Sequence, residues 1–242
     1  MNKTLNTASK PQCTIPSVVR SAVINNVNCI DWQDGIKQVL DNSIDLVVTD
    51  PPYGMKFQSN YRKVKHKSIQ NDDNLDWLYG WAVELKRVCK DEAHLYVFCS
   101  WHNVDIFKQE LGAYFKIKNI LIWEKNNTGM GDLEDDYAPK YEMILFCSNG
   151  QKKLKLGRDA NILKAKRTGN VNHPTQKPTE LISYLIEKSS NKGDLVLDTF
   201  AGSCVSAIAS RQKERNCICF EIDKDYCKIG EKVLFGTAQT LF

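Results

Sequence analysis

The chain has 242 residues, a mass of 27.6 kDa and a formal net charge of +4. Its 42% hydrophobic and 26% charged residues exclude a disordered, collagen-like or coiled-coil protein. No apolar run approaches the ~18–20 residues of a membrane span, and the polar N-terminus lacks the apolar core of a signal peptide. The nine cysteines contain no CxxC pair, which predicts reduced thiols in a cytoplasmic protein and no metal site.

Positive charge is concentrated in two segments. Residues 56–68 hold five Lys/Arg and no acid, and residues 151–167 hold seven Lys/Arg and one Asp. Two solvated loops would explain this pattern, but a polyanionic partner would explain it equally well. Residues 1–20 contain prolines and no periodicity, so we expect a flexible N-terminal arm followed by a single domain over 21–242.

The apolar pattern from residue 44 onward alternates between strand-like and helix-like segments. In chain order it predicts a strand at 44–49, a helix at 75–89, a strand at 93–100, a helix at 102–112, strands at 115–125 and 142–148, a helix at 177–190, a strand at 194–200, a helix at 204–213, a strand at 216–223 and a helix at 224–234. Nearly continuous apolar strands that alternate with helices indicate an α/β fold. Its sheet would be largely parallel, with helices on both faces.

Ligands of such sheets bind beyond the carboxyl ends of the strands. The segment DTFAGSC (198–204) begins at one predicted strand end, and Glu221 lies 23 positions after Asp198 at the next. A Gly-containing turn followed by an acid at this distance suits a nucleoside, because the carboxylate can accept hydrogen bonds from both ribose hydroxyls. The same layout also occurs as plain fold geometry, so this motif is weak when taken alone.

A second motif, TDPPYGM (49–55), follows the predicted strand at 44–49. Two prolines fix the backbone and remove two donors, which leaves the Asp50 carboxylate and the Pro51 carbonyl as acceptors beside the Tyr53 ring. This arrangement suits a planar ring that carries an exocyclic amino group. A proline-stabilised turn is the alternative. A third motif, NHPTQKPTEL (172–181), is by itself only a good helix start.

Taken together and in this order, DPPY, a basic stretch, HPTQKP, the DxFxGS turn and the E-I-D strand end resemble the beta group of S-adenosylmethionine-dependent DNA amino-methyltransferases. The resemblance spans residues 24–234. It implies a Rossmann-like, mixed seven-stranded sheet in circularly permuted order, and a cytoplasmic protein of prokaryotic or phage origin. It also implies that a flipped base receives a methyl group on its exocyclic nitrogen.

The resemblance assigns roles by position. It implies a catalytic tetrad of Asp50, Pro51, Pro52 and Tyr53. It implies that S-adenosylmethionine is bound by Asp31, Asp50, His173, Thr175, Lys177, Asp198, Phe200, Ala201, Gly202, Ser203, Glu221 and Ile222. For the acid before DPPY, Asp31 fits the spacing and Asn28 fits the strand context, so both stay open. Cys204 replaces the usual second glycine, and a side chain at this position could crowd the carboxylate end of the cofactor.

Asp as the first residue of DPPY favours adenine N6 as the target, with cytosine N4 as the alternative. An RNA substrate is a less favoured alternative than either DNA base. A non-catalytic nucleic-acid-binding relative is a further alternative from a different functional class. Double-stranded DNA would be bound by the loops at 56–70 and 149–172, the latter a short target-recognition region. The expected contacts are Tyr61, Arg62, Lys63, Lys65, Lys67, Lys152, Lys153, Lys155, Arg158, Lys164, Lys166 and Arg167. The resemblance further implies a homodimer as one assembly and a restriction endonuclease as one cellular partner.

Overall fold

One mixed sheet organises the chain. The computed structural model describes residues 24–54, 74–128, 134–166 and 176–236. In these ranges the elements are β1 (Asn26–Cys29), α1 (Trp32–Ile36), β2 (Ile44–Thr49), α2 (Leu78–Val88), β3 (Cys89–Cys99), α3 (Val104–Gly112), β4 (Lys116–Glu124), β5 (Tyr141–Ser148), β6 (Ile162–Lys164), α4 (Thr179–Ser189), β7 (Leu195–Asp198), α5 (Val205–Gln212), β8 (Asn216–Glu221) and α6 (Lys224–Gly236).

The sheet has the strand order β1-β8-β7-β2-β3-β5-β4-β6. Strands β1, β8, β7, β2 and β3 are parallel, whereas β5 is antiparallel to both β3 and β4. This confirms the predicted mixed α/β architecture. The described residues contain eight strands instead of the expected seven, because residues 162–164 add a short edge strand parallel to β4.

The alternation along β2 explains why the sheet is covered on both faces. Val47 belongs to an apolar cluster with α1, α2 and α3, whereas Leu46 and Val48 belong to a second cluster with α4, α5 and α6. All three side chains are at most 1% exposed. Burial of each contributes about 1.5–3 kcal/mol relative to exposure. A strand flanked by helices on both faces therefore has a continuous apolar sequence, as the sequence pattern indicates.

The sheet topology decides which loops meet. The carboxyl ends of β2, β7 and β8 lie at one edge, which we call the site edge. Because β5 runs antiparallel to β3, with Cys99 opposite Met143, its first residues lie at the site edge as well. The chain leaves β5 at the opposite edge, beside the start of β2. The loop after β5 therefore begins far from Asp50.

Several features of the described residues bear on the expectations about metals, thiols and membranes. No helix there is long and apolar enough to cross a membrane. In the same ranges no group of three or more His, Cys, Asp or Glu could hold a metal ion. The eight cysteines within these ranges are free thiols.

A buried polar network connects β3 to α4. The Nδ1 atom of His94 lies 2.8 Å from the Ser189 hydroxyl oxygen, and the Tyr96 hydroxyl lies 2.7 Å from the same atom. His94 is 1% exposed. Burial, with a smaller contribution from the Lys152 cation, lowers the pKa of His94 to about 4. The imidazole is therefore neutral in the folded protein at pH values where it is partly protonated in the unfolded chain.

Replacement of His94 by Gln tests this state. As the pH falls from 7 to 5, the unfolded wild-type chain gains a proton on His94 that the folded protein does not, so the free energy of unfolding falls. For this one group the loss is about 2 kcal/mol. The variant lacks this loss, so its stability deficit in urea unfolding should be smaller at pH 5 than at pH 7. The contribution of Asp198 is common to both proteins. Parallel pH profiles would contradict the assignment.

Candidate active site

Asp50 follows the last residue of β2 and occupies the centre of the site edge. The buried Pro51 and Pro52 end the strand, because proline cannot donate to a further ladder hydrogen bond. The Tyr53 hydroxyl donates to Asp50 Oδ1 at 2.5 Å. The Asn103 side-chain amide, at the start of α3, donates to the Tyr53 carbonyl at 2.5 Å. The DPPY segment is thus fixed both internally and to the loop after β3.

The second oxygen of Asp50 is bound to a buried lysine that precedes α4. The Lys177 ammonium lies 2.6 Å from Asp50 Oδ2 and 2.9 Å from Glu142 Oε2, and it is 5.0 Å from the centre of the Phe98 ring. The Lys125 ammonium lies 2.7 Å from Glu142 Oε1. These four side chains form a line of alternating charges, Asp50–Lys177–Glu142–Lys125, which we call the ion line.

Burial and pairing shift the pKa values along this line. Burial raises the pKa of Asp50, although the Lys177 cation acts in the opposite direction. Burial alone would lower the pKa of Lys177, but the Asp50 and Glu142 carboxylates outweigh it, so the pKa is raised. Burial and the Asp50 carboxylate raise the pKa of Tyr53 well above its ordinary value. At neutral pH Lys177 is therefore an ammonium and Tyr53 a neutral hydrogen-bond donor.

Asp198 joins β7 to its neighbours. Its Oδ1 atom accepts hydrogen bonds from the Thr49 hydroxyl at 2.8 Å and from the Phe200 amide at 3.1 Å, and its Oδ2 atom accepts from the Ser206 hydroxyl. Burial raises the pKa of Asp198 to about 6. The structure places this carboxylate beneath the turn that follows β7, where it connects β2, β7 and α5.

The turn after β7 is also fixed to the end of β8. The Glu221 carboxylate accepts hydrogen bonds from the Gly202 amide at 2.6 Å and from the Asp223 amide at 2.8 Å. Gly202 has φ +50°, a conformation that glycine adopts without steric cost. A carboxylate has about four acceptor positions, so Glu221 keeps positions for further donors. Partial burial raises the pKa of Glu221, although these backbone donors act against the rise.

An aromatic cluster surrounds Phe200 at the start of this turn. Its ring lies 5.3 Å from Trp77, 5.9 Å from Trp81 and 6.3 Å from Trp32, measured between ring centres. The Trp81 indole donates to the Thr199 hydroxyl at 3.0 Å. The sequence motifs assign no role to these tryptophans, to Glu142 or to Lys125. The signal for Glu142 was a lone charge in the otherwise apolar strand YEMILFCS.

The two candidates for the acid before DPPY occupy different positions. Asp31 caps α1 and accepts a hydrogen bond from the Gln33 amide at 2.8 Å, just beyond the end of β1. Asn28 lies within β1, and its side-chain amide donates to the Cys219 carbonyl at 3.2 Å. Asp31 therefore follows a strand end at the site edge, whereas the Asn28 amide contacts the neighbouring strand. Ile222 follows Glu221 and is exposed.

The predicted DNA-binding residues are not all at one edge. The ammonium of Lys152 lies 3.4 Å from the Asp45 carbonyl, and the Lys155 amide donates to the Lys188 carbonyl at 2.9 Å, both opposite the site edge. Lys164 ends β6 and lies 3.7 Å from Glu124 at the site edge. Eight of the predicted site residues lie outside the described residues: Tyr61, Arg62, Lys63, Lys65, Lys67, Arg167, His173 and Thr175.

Cys204 has a left-handed backbone conformation, with φ 60° and ψ 30°, and its side chain is fully buried. A Cβ atom on Gly230 of α6 would lie only 2.3 Å from the Cys204 sulfur. The thiol therefore packs into the interior against α6, and its space there depends on the absence of a side chain at position 230.

Replacement of Gly230 by Ala should therefore destabilise the protein by about 1–3 kcal/mol, because the new methyl group overlaps the sulfur. Gly80 is the matched control, since it also lies in a helix and a Cβ there meets nothing within 4 Å. Gly80→Ala should stabilise by about 0.5–1 kcal/mol. Adding Cys204→Gly to Gly230→Ala should recover part of the loss in thermal unfolding. Additive effects of the two substitutions would contradict the contact.

Comparison of the sequence with known proteins identifies the family. The sequence matches the DNA methylase family N6_N4_Mtase over residues 44–232. It is 29% identical to the DNA adenine methyltransferase YhdJ of Escherichia coli K12 over 233 residues, covering 81% of this chain and 77% of that protein. It is 28% identical to the type II methyltransferase M.HpaI of Haemophilus parainfluenzae over 235 residues, covering 85% of this chain and 73% of that protein.

Solved structures agree with this assignment. The M1.HpyAVI–SAM complex superposes with a TM-score of 0.70 at 25% identity, covering 86% of this chain and 98% of that chain. The cytosine-N4-specific PvuII DNA methyltransferase shares the fold, with a TM-score of 0.69 at 17% identity, covering 84% of each chain. Because the family match extends over most of the chain, the protein belongs to the N6/N4 DNA methylase family.

Proposed function

We propose that this protein transfers a methyl group from S-adenosylmethionine to the exocyclic N6 of an adenine flipped out of duplex DNA. The observation that carries the proposal is the position of Asp50, held between the Tyr53 hydroxyl and the Lys177 ammonium at the site edge. The relative YhdJ is named a DNA adenine methyltransferase, which supports adenine as the base. Aspartate as the first residue of DPPY favours the same base.

The residues around the turn fit S-adenosylmethionine. Glu221 would accept hydrogen bonds from the ribose hydroxyls, because its oxygens keep acceptor positions beside the two backbone donors. The small Ala201 and Gly202 leave room for the methionine end, and Phe200 supplies an aromatic wall. We propose that the cofactor is held here, with Asp31 and Ile222 at its adenosine end. The bound cofactor supplies a methyl group on a positively charged sulfur.

The chain's task is to activate a weak nucleophile. The lone pair of an aromatic amino group is delocalised into the ring, so the nitrogen must be held towards tetrahedral geometry. Asp50 and the Pro51 carbonyl would each accept one N–H of this group, and the Tyr53 ring would stack on the base. The negative charge of Asp50 would stabilise the positive charge that develops on the nitrogen as its bond to the methyl carbon forms and the methyl–sulfur bond breaks. The methylated nitrogen then returns to the neutral state by releasing one proton to solvent. Catalysis here is positioning plus electrostatics.

The first experiment identifies the methylated base. The protein is incubated with unmethylated plasmid DNA and labelled S-adenosylmethionine, and the DNA is digested to nucleosides. We expect labelled N6-methyldeoxyadenosine. In Asp50→Ala the rate should fall by about 100-fold or more, because the negatively charged acceptor of the amino group is lost. Asp34→Ala is the control, since Asp34 is exposed and pairs only with Lys37 among the described contacts.

Two other outcomes are informative. Detection of labelled N4-methyldeoxycytidine would mean that the same mechanism acts on cytosine instead of adenine. Absence of label in DNA, with the protein folded and able to bind the cofactor, would contradict the proposed activity and favour a non-catalytic relative.

We propose that DNA is contacted from the site edge, through Lys164 and Lys166. Both are exposed, and the chain between β6 and α4 leads from them to Lys177. Basic side chains on phosphates give affinity without sequence information, so we also propose a short or relaxed target sequence. The names of the type II relatives support a restriction endonuclease partner in the cell.

Salt-dependent binding tests this orientation. The double variant Lys164→Ala/Lys166→Ala should reduce the slope of log affinity against log salt by about 2, because each lost phosphate contact contributes about 0.9. The control is Lys153→Ala/Lys155→Ala, which removes the same charge from the segment that begins at the opposite edge. Its slope should equal that of the wild type. A larger effect of the control pair would reverse the proposed orientation of the DNA.

A further inference from the structure

The ion line extends beyond the residues to which the family motifs assign roles. Glu142 lies in β5 and Lys125 follows β4, both outside the DPPY, HPTQKP and turn motifs. Their side chains are 22% and 17% exposed, and the side chain of Lys177 is 10% exposed. Burial of charge is costly unless it is compensated, so this arrangement needs its pairs to persist. The line connects the catalytic carboxylate to two strands that carry no motif.

The distances show how Lys177 is shared. Its ammonium is 2.6 Å from Asp50 and 2.9 Å from Glu142, so both carboxylates compete for one cation. Glu142 in turn is paired with Lys125 through its other oxygen. A stronger hold of Lys125 on Glu142 leaves Lys177 more fully to Asp50, whereas a weaker hold draws Lys177 towards Glu142. The charge of Lys125 therefore reaches Asp50 through three successive ion pairs.

The division of the Lys177 ammonium between Asp50 and Glu142 determines how strongly Asp50 can accept a hydrogen bond. An Asp50 carboxylate fully neutralised by Lys177 would accept the amino N–H weakly, and one without Lys177 would bind a proton instead. We propose that Glu142 and Lys125 are positioning residues for the methyl-transfer site. They divide the Lys177 ammonium between two carboxylates and keep Asp50 an oriented, only partly neutralised hydrogen-bond acceptor. This inference rests on the proposed function.

Asp50 has other charged or titratable neighbours in the described residues. They come from its own segment, from β3, β5 and β7, and from the start of α4: Tyr53, Cys99, Glu142, Asp198 and Lys177. Burial raises the pKa of Cys99 to about 12, so its thiol is neutral. Tyr53 is likewise neutral. The charges that respond to substitution of the ion line are therefore Lys177 and Glu142. Asp198, whose pKa burial raises to about 6, titrates in the wild type and the variants alike, so the difference between their acid limbs reports on Asp50.

The test measures kcat as a function of pH for two variants. They should shift the acid limb of this profile, where Asp50 becomes protonated, in opposite directions. In Glu142→Gln, Lys177 pairs with Asp50 alone, so the limb should shift to lower pH. The plateau value of kcat should fall by about 3- to 10-fold, because the acceptor is more strongly neutralised. In Lys125→Met, Glu142 draws Lys177 away from Asp50, so the limb should shift to higher pH. KM for DNA should stay unchanged in both variants.

Glu187→Gln is the matched control. It removes a glutamate of α4 that pairs with Lys213 at 2.8 Å, and its kcat profile should coincide with that of the wild type. Thermal unfolding of all four proteins verifies folding. Should Glu142→Gln fail to fold, the direction in which Lys125→Met shifts the acid limb alone tests the proposed role of the ion line. A purely structural role would not shift the acid limb.

Shifts of the same sign in both variants, or unchanged limbs, would overturn the role of the ion line while wild-type methylation still supported the proposed function. A wild-type protein that methylates no DNA would refute the proposed function, and the inference would fall with it.

Discussion

The hydrogen bond from the Thr49 hydroxyl to the Asp198 carboxylate joins the two halves of the site. Thr49 is the last residue of β2 and Asp198 the last of β7, so the bond fixes both strand ends beside each other. A buried hydrogen bond to a charged group contributes about 1.5–3 kcal/mol. The DPPY segment and the Gly202 turn begin at these two residues. Their separation is thus set by the sheet and is independent of the mobility of any loop.

The sequence predicted the strand ends well because strand periodicity is local. A run such as IDLVVT ends at its first proline, and parallel strands end at a common edge, so Asp50 and Glu221 could be placed together from the sequence. The pairing of Lys177 with Asp50 and Glu142 could not. It requires β5 to run antiparallel beside β3, and the sequence of a buried strand carries no signal of its direction.

The antiparallel direction of β5 also explains why one basic segment has lysines at both the site edge and the opposite edge. From composition alone, residues 151–167 form a single cationic loop. In the structure, β5 delivers its first part to the edge beside Asp45, and the chain must cross to β6 before Lys164 reaches the site edge. Lysines close in sequence thus lie at opposite ends of the strands. Charge density along a sequence measures attraction for a polyanion, but the topology decides which charges can meet the same one.

The cost of the ion line favours the proposed role in methyl transfer over a purely stabilising one. Lys177 is buried and the other three charges are partly buried, so all four lose hydration. Well-packed apolar residues of similar volume often stabilise a fold as well or better. The line has no net charge, which reduces the cost of placing Asp50 in a buried position. The proposed reaction nevertheless requires Asp50 to stay ionised to accept an amino N–H, although burial raises its pKa. A shared cation meets both requirements, because Lys177 compensates the carboxylate while Glu142 prevents it from being neutralised completely.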